Sequence, residues 1–185
     1  MAWIRVIDEA DAEGKLRECY DEIKKARGKI ANIMKVHSLQ PEAMQAHLNF
    51  YREIMFRSSG LSRRQRELLA TVVSALNGCA YCVKHHSEAL RAYVKDESFL
   101  AQVQRDYTQA PLDSNDKAML DYALKLTLTP AVMSRKDVEK LRQNGFNDEE
   151  ILSINLITSY FNSVNRVTEG LGVEFSEEEV PGYNY

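Results

Sequence analysis

Residues 62–90, SRRQRELLATVVSALNGCAYCVKHHSEAL, combine a helical pattern with a closely spaced pair of cysteines. Apolar residues recur there at intervals of three and four, which is the spacing of a helix face and not the alternation of a strand. Gly78 follows the first segment where a left-handed residue would end a helix. We therefore expect two helices joined at Gly78, with Cys79 and Cys82 in the first turn of the second helix.

The rest of the chain has the same helical character. Its 185 residues include only 8 glycines and 4 prolines, and no segment alternates as a strand does. Side chains that can cap a helix start are Ser62 with Gln65, Asp113, Ser134 with Asp137, and Asn147 with Glu150. The pattern predicts an all-α bundle of about eight helices in a single domain, residues 1–185. The predicted helices are 9–27, 41–57, 62–77, 79–95, 97–107, 113–128, 135–144 and 148–169.

The last predicted helix carries an apolar stripe too wide for a surface helix, so we expect it centrally in the bundle or in a subunit interface. Its polar positions then need hydrogen-bond partners. These positions are Asn155, Thr158, Asn162 and Asn165. Residues 173–185 are predicted to form an extended C-terminal tail.

Charge and hydropathy exclude several classes of partner. The 24 basic and 27 acidic residues give a net charge of −3 and are interspersed, so no basic stripe for nucleic acid is present. The densest basic run, SRRQR at residues 62–66, is predicted to be a solvated helix start. No signal peptide or membrane span is apparent, and 3 cysteines suit a reducing compartment. We expect a soluble, cytoplasmic protein that binds neither nucleic acid nor membrane.

Cys79, Cys82 and His86 form the candidate reactive group. At a helix start, unpaired N–H groups and the helix dipole favour thiolate over thiol. At about 100° per residue, His86 falls angularly between the two sulfurs and one turn beyond Cys82. Position therefore nominates Cys82 as the attacking thiol, His86 as its base, and Cys79 as the partner that closes a disulfide.

Glu67 is the candidate that orients this histidine. It lies eleven residues before Gly78, or about 16 Å along its helix, while His86 lies about 12 Å along the next one. If the helices fold back antiparallel, the two side chains reach nearly equal heights. A carboxylate within one water of the imidazole would orient it and raise its basicity.

Other interpretations of these residues remain open. A CxxC can be half of a zinc site, but zinc would need His86 and a distant ligand such as Cys19, His37 or His47. Glu67 alone is more typical of a helix surface. His85 is expected to be solvated or to support the site from outside it, and not to act as the base. His37 and His47 are expected to mark helix ends or interfaces, and Cys19 to be a small buried hydrophobe.

The spacing Glu67, eleven residues, Cys79, two residues, Cys82, three residues, His86 resembles the active-site signature of the alkylhydroperoxidase (AhpD-like) members of the carboxymuconolactone decarboxylase superfamily. The flanks, including FNSVNRVTEGLGVE near the C-terminus, look like the peroxidase-related branch of that superfamily. The resemblance implies an all-helical fold, trimers or hexamers, attack of Cys82 on peroxide, resolution by Cys79, and a proton relay through His86 and Glu67. It also implies reduction by an external dithiol, with no bound cofactor or metal.

One departure concerns the residues between the cysteines. Many family members have a histidine there, whereas this chain has Ala80 and Tyr81. Either peroxide turnover is then weak, or protonation of the leaving group depends on His86, His85 or the Tyr81 hydroxyl.

The sequence therefore predicts a thiol-dependent hydroperoxide reductase with an antioxidant role. The alternatives are a general thiol–disulfide oxidoreductase and a zinc-stabilised helical interaction module. Lactone decarboxylation is a less favoured activity, because that reaction would not use the CxxC pair.

Overall fold

The computed structural model describes residues 2–58, 60–176, 178–180 and 182–183. Within these residues the chain forms nine α-helices and no strand, which confirms the all-α prediction. They are α1 (Gly14–Arg27), α2 (Asn32–Lys35), α3 (Pro41–Phe56), α4 (Arg63–Leu76), α5 (Ala80–Arg91), α6 (Glu97–Asp106), α7 (Ser114–Leu128), α8 (Arg135–Gln143) and α9 (Asp148–Gly170). The caps predicted at Ser62, Asp113 and Asn147 each accept a hydrogen bond from a backbone N–H three residues on.

Two helix boundaries differ from the prediction by more than one residue, and one short helix was not predicted. The first helix begins only at Gly14, after a separate 3-10 turn at Glu9–Asp11. The four-residue helix α2 was missed because it is too short to show a periodic pattern. Helix α5 ends at Arg91 and not at residue 95, because Asp96 caps the start of α6 by accepting from the N–H groups of Ser98 and Phe99.

The chain divides into two compact units, of which the first comprises residues 1–53 and 166–185 in so far as they are described. Its core is built from apolar side chains of α1, α2 and α3, among them Leu16, Tyr20, Met34 and Leu48. Cys19 is buried in this cluster, as expected, and its burial raises the pKa of the thiol. A thiol with a raised pKa is a poor nucleophile at neutral pH.

The described part of the tail folds back onto this first unit. Lys29 Nζ donates to the backbone oxygens of Glu178 and Glu179, and the N–H of Asn32 donates to the Glu179 carboxylate at 2.9 Å. The guanidinium of Arg27 and the ammonium of Lys29 also lie over the Tyr183 ring. Four of the residues in the predicted tail, 177, 181, 184 and 185, lie outside the described residues.

His37 and His47 contact each other in the first unit, with ring centroids 4.8 Å apart in an edge-to-face arrangement. His37 Nδ1 lies 2.8 Å from the Ile33 carbonyl oxygen. Burial, together with the neighbouring His37, lowers the pKa of His47 to about 4. The folded protein therefore keeps His47 neutral at a pH where an unfolded chain would protonate it.

This difference predicts acid sensitivity. Because the folded pKa of His47 is depressed, its contribution to stability is complete above about pH 6.5 and is lost as the pH falls towards about 4. The ring is only half-buried, so we expect a loss of about 1–2 kcal/mol over that range. Urea unfolding of the natural protein and of a His47→Gln variant, at both ends of the range, measures it. The variant should lose less stability on acidification, and an equal loss in both proteins would contradict the prediction.

The second unit comprises residues 54–165, and α4 lies at its centre, packed against α5, α6 and α7. Helix α9 contributes buried apolar residues such as Ile154, Ile157 and Phe161. Its four polar positions are hydrogen-bonded, as the sequence required. Asn155 donates to Tyr122, Thr158 to the Ile154 carbonyl, Asn162 to Thr127, and Asn165 to Ser74.

Candidate active site

The α4–α5 turn places both cysteines. Gly78 adopts the left-handed conformation, with φ +70, so a side chain there would be strained. Cys79 is the N-cap residue of α5, and its N–H donates to the Ser74 carbonyl at 3.0 Å. The Asn77 side-chain amide donates to two asparagines of α9, Asn162 at 3.0 Å and Asn165 at 2.9 Å. The turn is thus fixed on α9 as well as by the backbone.

Cys79 and Cys82 are both buried thiols that are not joined in a disulfide. Cys82 is the third residue of α5, so both cysteines lie in the first turn, as predicted. The helix dipole is positive at this end and stabilises a negative sulfur. Burial keeps bulk water away from the pair.

His86 lies one turn after Cys82 and contacts Glu67 directly. His86 Nδ1 is 2.8 Å from Glu67 Oε2, and the Glu67 side chain has no exposed surface. The predicted match in height along the two helices is therefore present, and the contact needs no bridging water. Because a carboxylate can only accept, Nδ1 carries the proton and donates it, which leaves Nε2 as the nitrogen with a lone pair. The Phe161 ring packs edge-on against the imidazole, with centroids 4.6 Å apart.

Arg63 is a member of this group that the sequence interpretation missed. Its Nη2 donates to Glu67 Oε1 at 2.6 Å, so each carboxylate oxygen has its own donor. The predicted solvated helix start is wrong here. The Arg63 side chain is 15% exposed, and Arg66 is buried, donating to the Ile54 carbonyl at 2.7 Å. The spacing of four residues between Arg63 and Glu67 was the available signal.

These contacts determine the charge on Glu67. Burial alone would raise the pKa of the carboxyl group, but the charges and hydrogen bonds of His86 and Arg63 outweigh it and hold the pKa below its usual value. Glu67 is therefore a carboxylate at neutral pH.

Tyr81 and His85, next to the reactive residues, form a pair of their own. Tyr81 is buried, and its ring lies 4.4 Å from that of the half-buried His85 at a tilt of 37°. His85 is thus packed against an aromatic ring and is not simply solvated.

Among the described residues, no three histidine, cysteine, aspartate or glutamate side chains are grouped so that they could hold a metal ion. A search of the same residues finds no helix whose length and hydropathy would allow it to cross a membrane.

Comparisons with known proteins show the family to which this chain belongs. The model of the carboxymuconolactone decarboxylase family matches residues 41–103, which include all four predicted site residues. The chain is 31% identical to an uncharacterized peroxidase-related protein from Silicibacter sp. TM1040, covering 96% of this chain and 93% of that one with a TM-score of 0.87. It is 29% identical to an alkylhydroperoxidase AhpD core protein, also peroxidase-related and uncharacterized, from Ralstonia eutropha JMP134, covering 97% and 94% with a TM-score of 0.87.

A more distant match shows the fold alone. The debrominase Bmp8 is 16% identical over 94% of this chain and 91% of its own, with a TM-score of 0.76. From the two nearer structures and the family model, the chain is an AhpD-like member of the carboxymuconolactone decarboxylase superfamily.

Proposed function

We propose that this protein is a thiol-dependent hydroperoxide reductase in which Cys82 attacks the peroxide. The observation that carries the proposal is the 2.8 Å contact between His86 and a buried, ionised Glu67, one turn after a cysteine at a helix start. A nucleophile, a base and a group that orients the base are the three parts that thiol activation needs. The peroxidase-related names of the two nearer structures agree with this chemistry.

The first step oxidises Cys82. His86 Nε2 takes the thiol proton, and the thiolate attacks one oxygen of the hydroperoxide. A sulfur–oxygen bond forms while the oxygen–oxygen bond breaks, and the leaving alkoxide takes the proton back from His86. The products are a Cys82 sulfenic acid and an alcohol, so the peroxide gains the two electrons that the sulfur loses.

The second step closes a disulfide. The Cys79 sulfur attacks the sulfenic sulfur of Cys82, the sulfur–oxygen bond breaks, and hydroxide leaves with the Cys79 proton as water. An external dithiol then reduces the disulfide and is itself oxidised. The burial of both thiols favours rapid closure, because a sulfenic acid that is shielded from solvent meets Cys79 before it meets a second peroxide.

The assembly and location belong to the same proposal. The family resemblance supports a homo-oligomer, either a trimer or a hexamer. The low number of cysteines supports a location in the cytoplasm. Light scattering on the purified protein measures the first of these directly.

A competing activity is general thiol–disulfide exchange by the same cysteine pair. Two assays on one preparation separate the activities: consumption of an organic hydroperoxide with dithiothreitol, and reduction of insulin disulfides with the same reductant. We expect peroxide consumption to be at least about tenfold faster per active site, because His86 and Glu67 supply the proton transfers that peroxide cleavage requires. Faster insulin reduction would favour the exchange activity.

A further inference from the structure

Glu67 lies between two groups that can each carry a positive charge. Arg63 Nη2 donates to one carboxylate oxygen at 2.6 Å, and His86 Nδ1 lies 2.8 Å from the other. His86 changes its charge whenever it gains or loses a proton, whereas an arginine stays protonated in proteins. When His86 is neutral, Arg63 is the remaining partner of opposite charge in contact with the buried carboxylate.

Arg63 is held in place by contacts other than Glu67. Its Nη1 donates to the Met55 carbonyl at the end of α3 at 2.8 Å, and its guanidinium carbon lies 3.7 Å from the centre of the Phe56 ring. The cation therefore sits between a helix C-terminus and an aromatic face, both of which favour positive charge. Neither of these contacts involves His86.

We propose that Arg63 is a positioning residue for the proton relay, which keeps Glu67 ionised and thereby keeps the proton of His86 on Nδ1. This rests on the proposed function in that the relay serves Cys82. A buried carboxylate without a partner is costly, so without Arg63 the Glu67–His86 pair would bind its proton more tightly. Arg63 thus favours the neutral form of His86, which is the form that can accept a proton from Cys82.

The direction of this effect follows from the charges around the imidazole. Removing the Arg63 cation leaves the negative Glu67 facing His86 alone, which favours the imidazolium form. Helix α9 presents the apolar Phe161 to the ring and adds no charge. The other titratable groups on the adjoining turns are Arg64 and Arg66 from α4, and Cys79, Tyr81, Cys82, Lys84, His85 and Glu88 from α5.

The test is a titration of His86 by NMR in the natural protein and in four variants. Arg63→Gln and Arg63→Met remove the charge, and either one that folds gives the result. Arg63→Lys keeps the charge. Arg64→Gln is the matched control, because Arg64 lies on the same turn but is bound to the Asp116 carboxylate. We expect the midpoint of His86 to rise by about one pH unit in the neutral Arg63 variants and to stay within about 0.3 unit in the other two.

A kinetic experiment measures the same shift in the His86 midpoint. The rate at which Cys82 is oxidised by peroxide should depend on pH with a midpoint moved upward by the same amount, so that a neutral variant regains activity at higher pH. A merely structural role for Arg63 would lower the rate at every pH without moving the midpoint.

An unchanged or lowered His86 midpoint in the neutral Arg63 variants would overturn the proposal, as would an equal rise in Arg64→Gln. The NMR titration needs no peroxide. If the protein proves inert towards hydroperoxides, the proposed function fails while the titration still decides the role of Arg63.

Discussion

Replacing Cys82 by serine is expected to abolish peroxide reduction, lowering the rate at least about a thousandfold. A serine oxygen cannot replace the sulfur, because a hydroperoxide oxidises a thiolate to a sulfenic acid but does not oxidise a hydroxyl group in this way. The variant should fold normally, because serine is close to cysteine in size. Peroxide consumption in the presence of dithiothreitol measures the effect, and circular dichroism checks the fold.

The other two cysteines provide controls for this experiment. Cys79→Ser should still react once with peroxide and accumulate a Cys82 sulfenic acid that a dimedone probe traps, because the attacking thiol is intact and its partner is missing. Cys19→Ser should leave the rate unchanged, since Cys19 is buried in the other compact unit with a raised thiol pKa. If Cys79→Ser does not react with peroxide while Cys82→Ser reacts fully, the roles assigned to the two cysteines would be reversed.

Replacing Glu67 by glutamine should affect both activity and stability. The variant keeps the shape of the side chain but removes the buried charge that binds Arg63 and His86. We expect the rate of Cys82 oxidation at neutral pH to fall about a hundredfold, since the imidazole loses the group that orients it and raises its basicity. The free energy of unfolding should fall by about 3 kcal/mol, because the Arg63 guanidinium is left beside an uncharged group.

Glu88→Gln is the matched control for this prediction. Glu88 lies on α5 and pairs with Arg91 at a partly exposed position, where loss of the charge should change the unfolding free energy by less than about 1 kcal/mol. Rates are compared in stopped-flow experiments under conditions where both variants remain folded. A Glu67→Gln protein that reacts within twofold of the natural rate would remove Glu67 from the relay.

The sequence predicted best those parts of the site in which helix geometry relates the residues to one another. Cys79, Cys82 and His86 share one helix, so their spacing alone predicts how they are arranged. Glu67 could be added because the short turn of Asn77, Gly78 and Cys79 joins its helix to theirs, which allowed heights along the two axes to be compared. The direct contact of 2.8 Å is the three-dimensional result of that comparison.

The features that the sequence did not predict depend on tertiary contacts. Arg63 and Arg66 belong to a basic run that is typical of a solvated surface, and only the approach of α3 shows that their guanidinium groups bind the Met55 and Ile54 carbonyls. The Asn77 contacts to α9 span 85 and 88 residues of sequence, a separation at which no local pattern operates. The paired rings of Tyr81 and His85 are a different case, because these residues lie four apart on α5 and helix spacing was an available signal for their contact.

The most direct experiment follows the two thiols during a single turnover. The reduced protein is mixed with one equivalent of an organic hydroperoxide and quenched at intervals, and the state of Cys79 and Cys82 is mapped by mass spectrometry. We expect a Cys79–Cys82 disulfide to appear at the rate at which the peroxide disappears, with Cys19 still reduced. Peroxide loss while both thiols survive, or no peroxide loss at all, would show that this cysteine pair is not the site of hydroperoxide reduction.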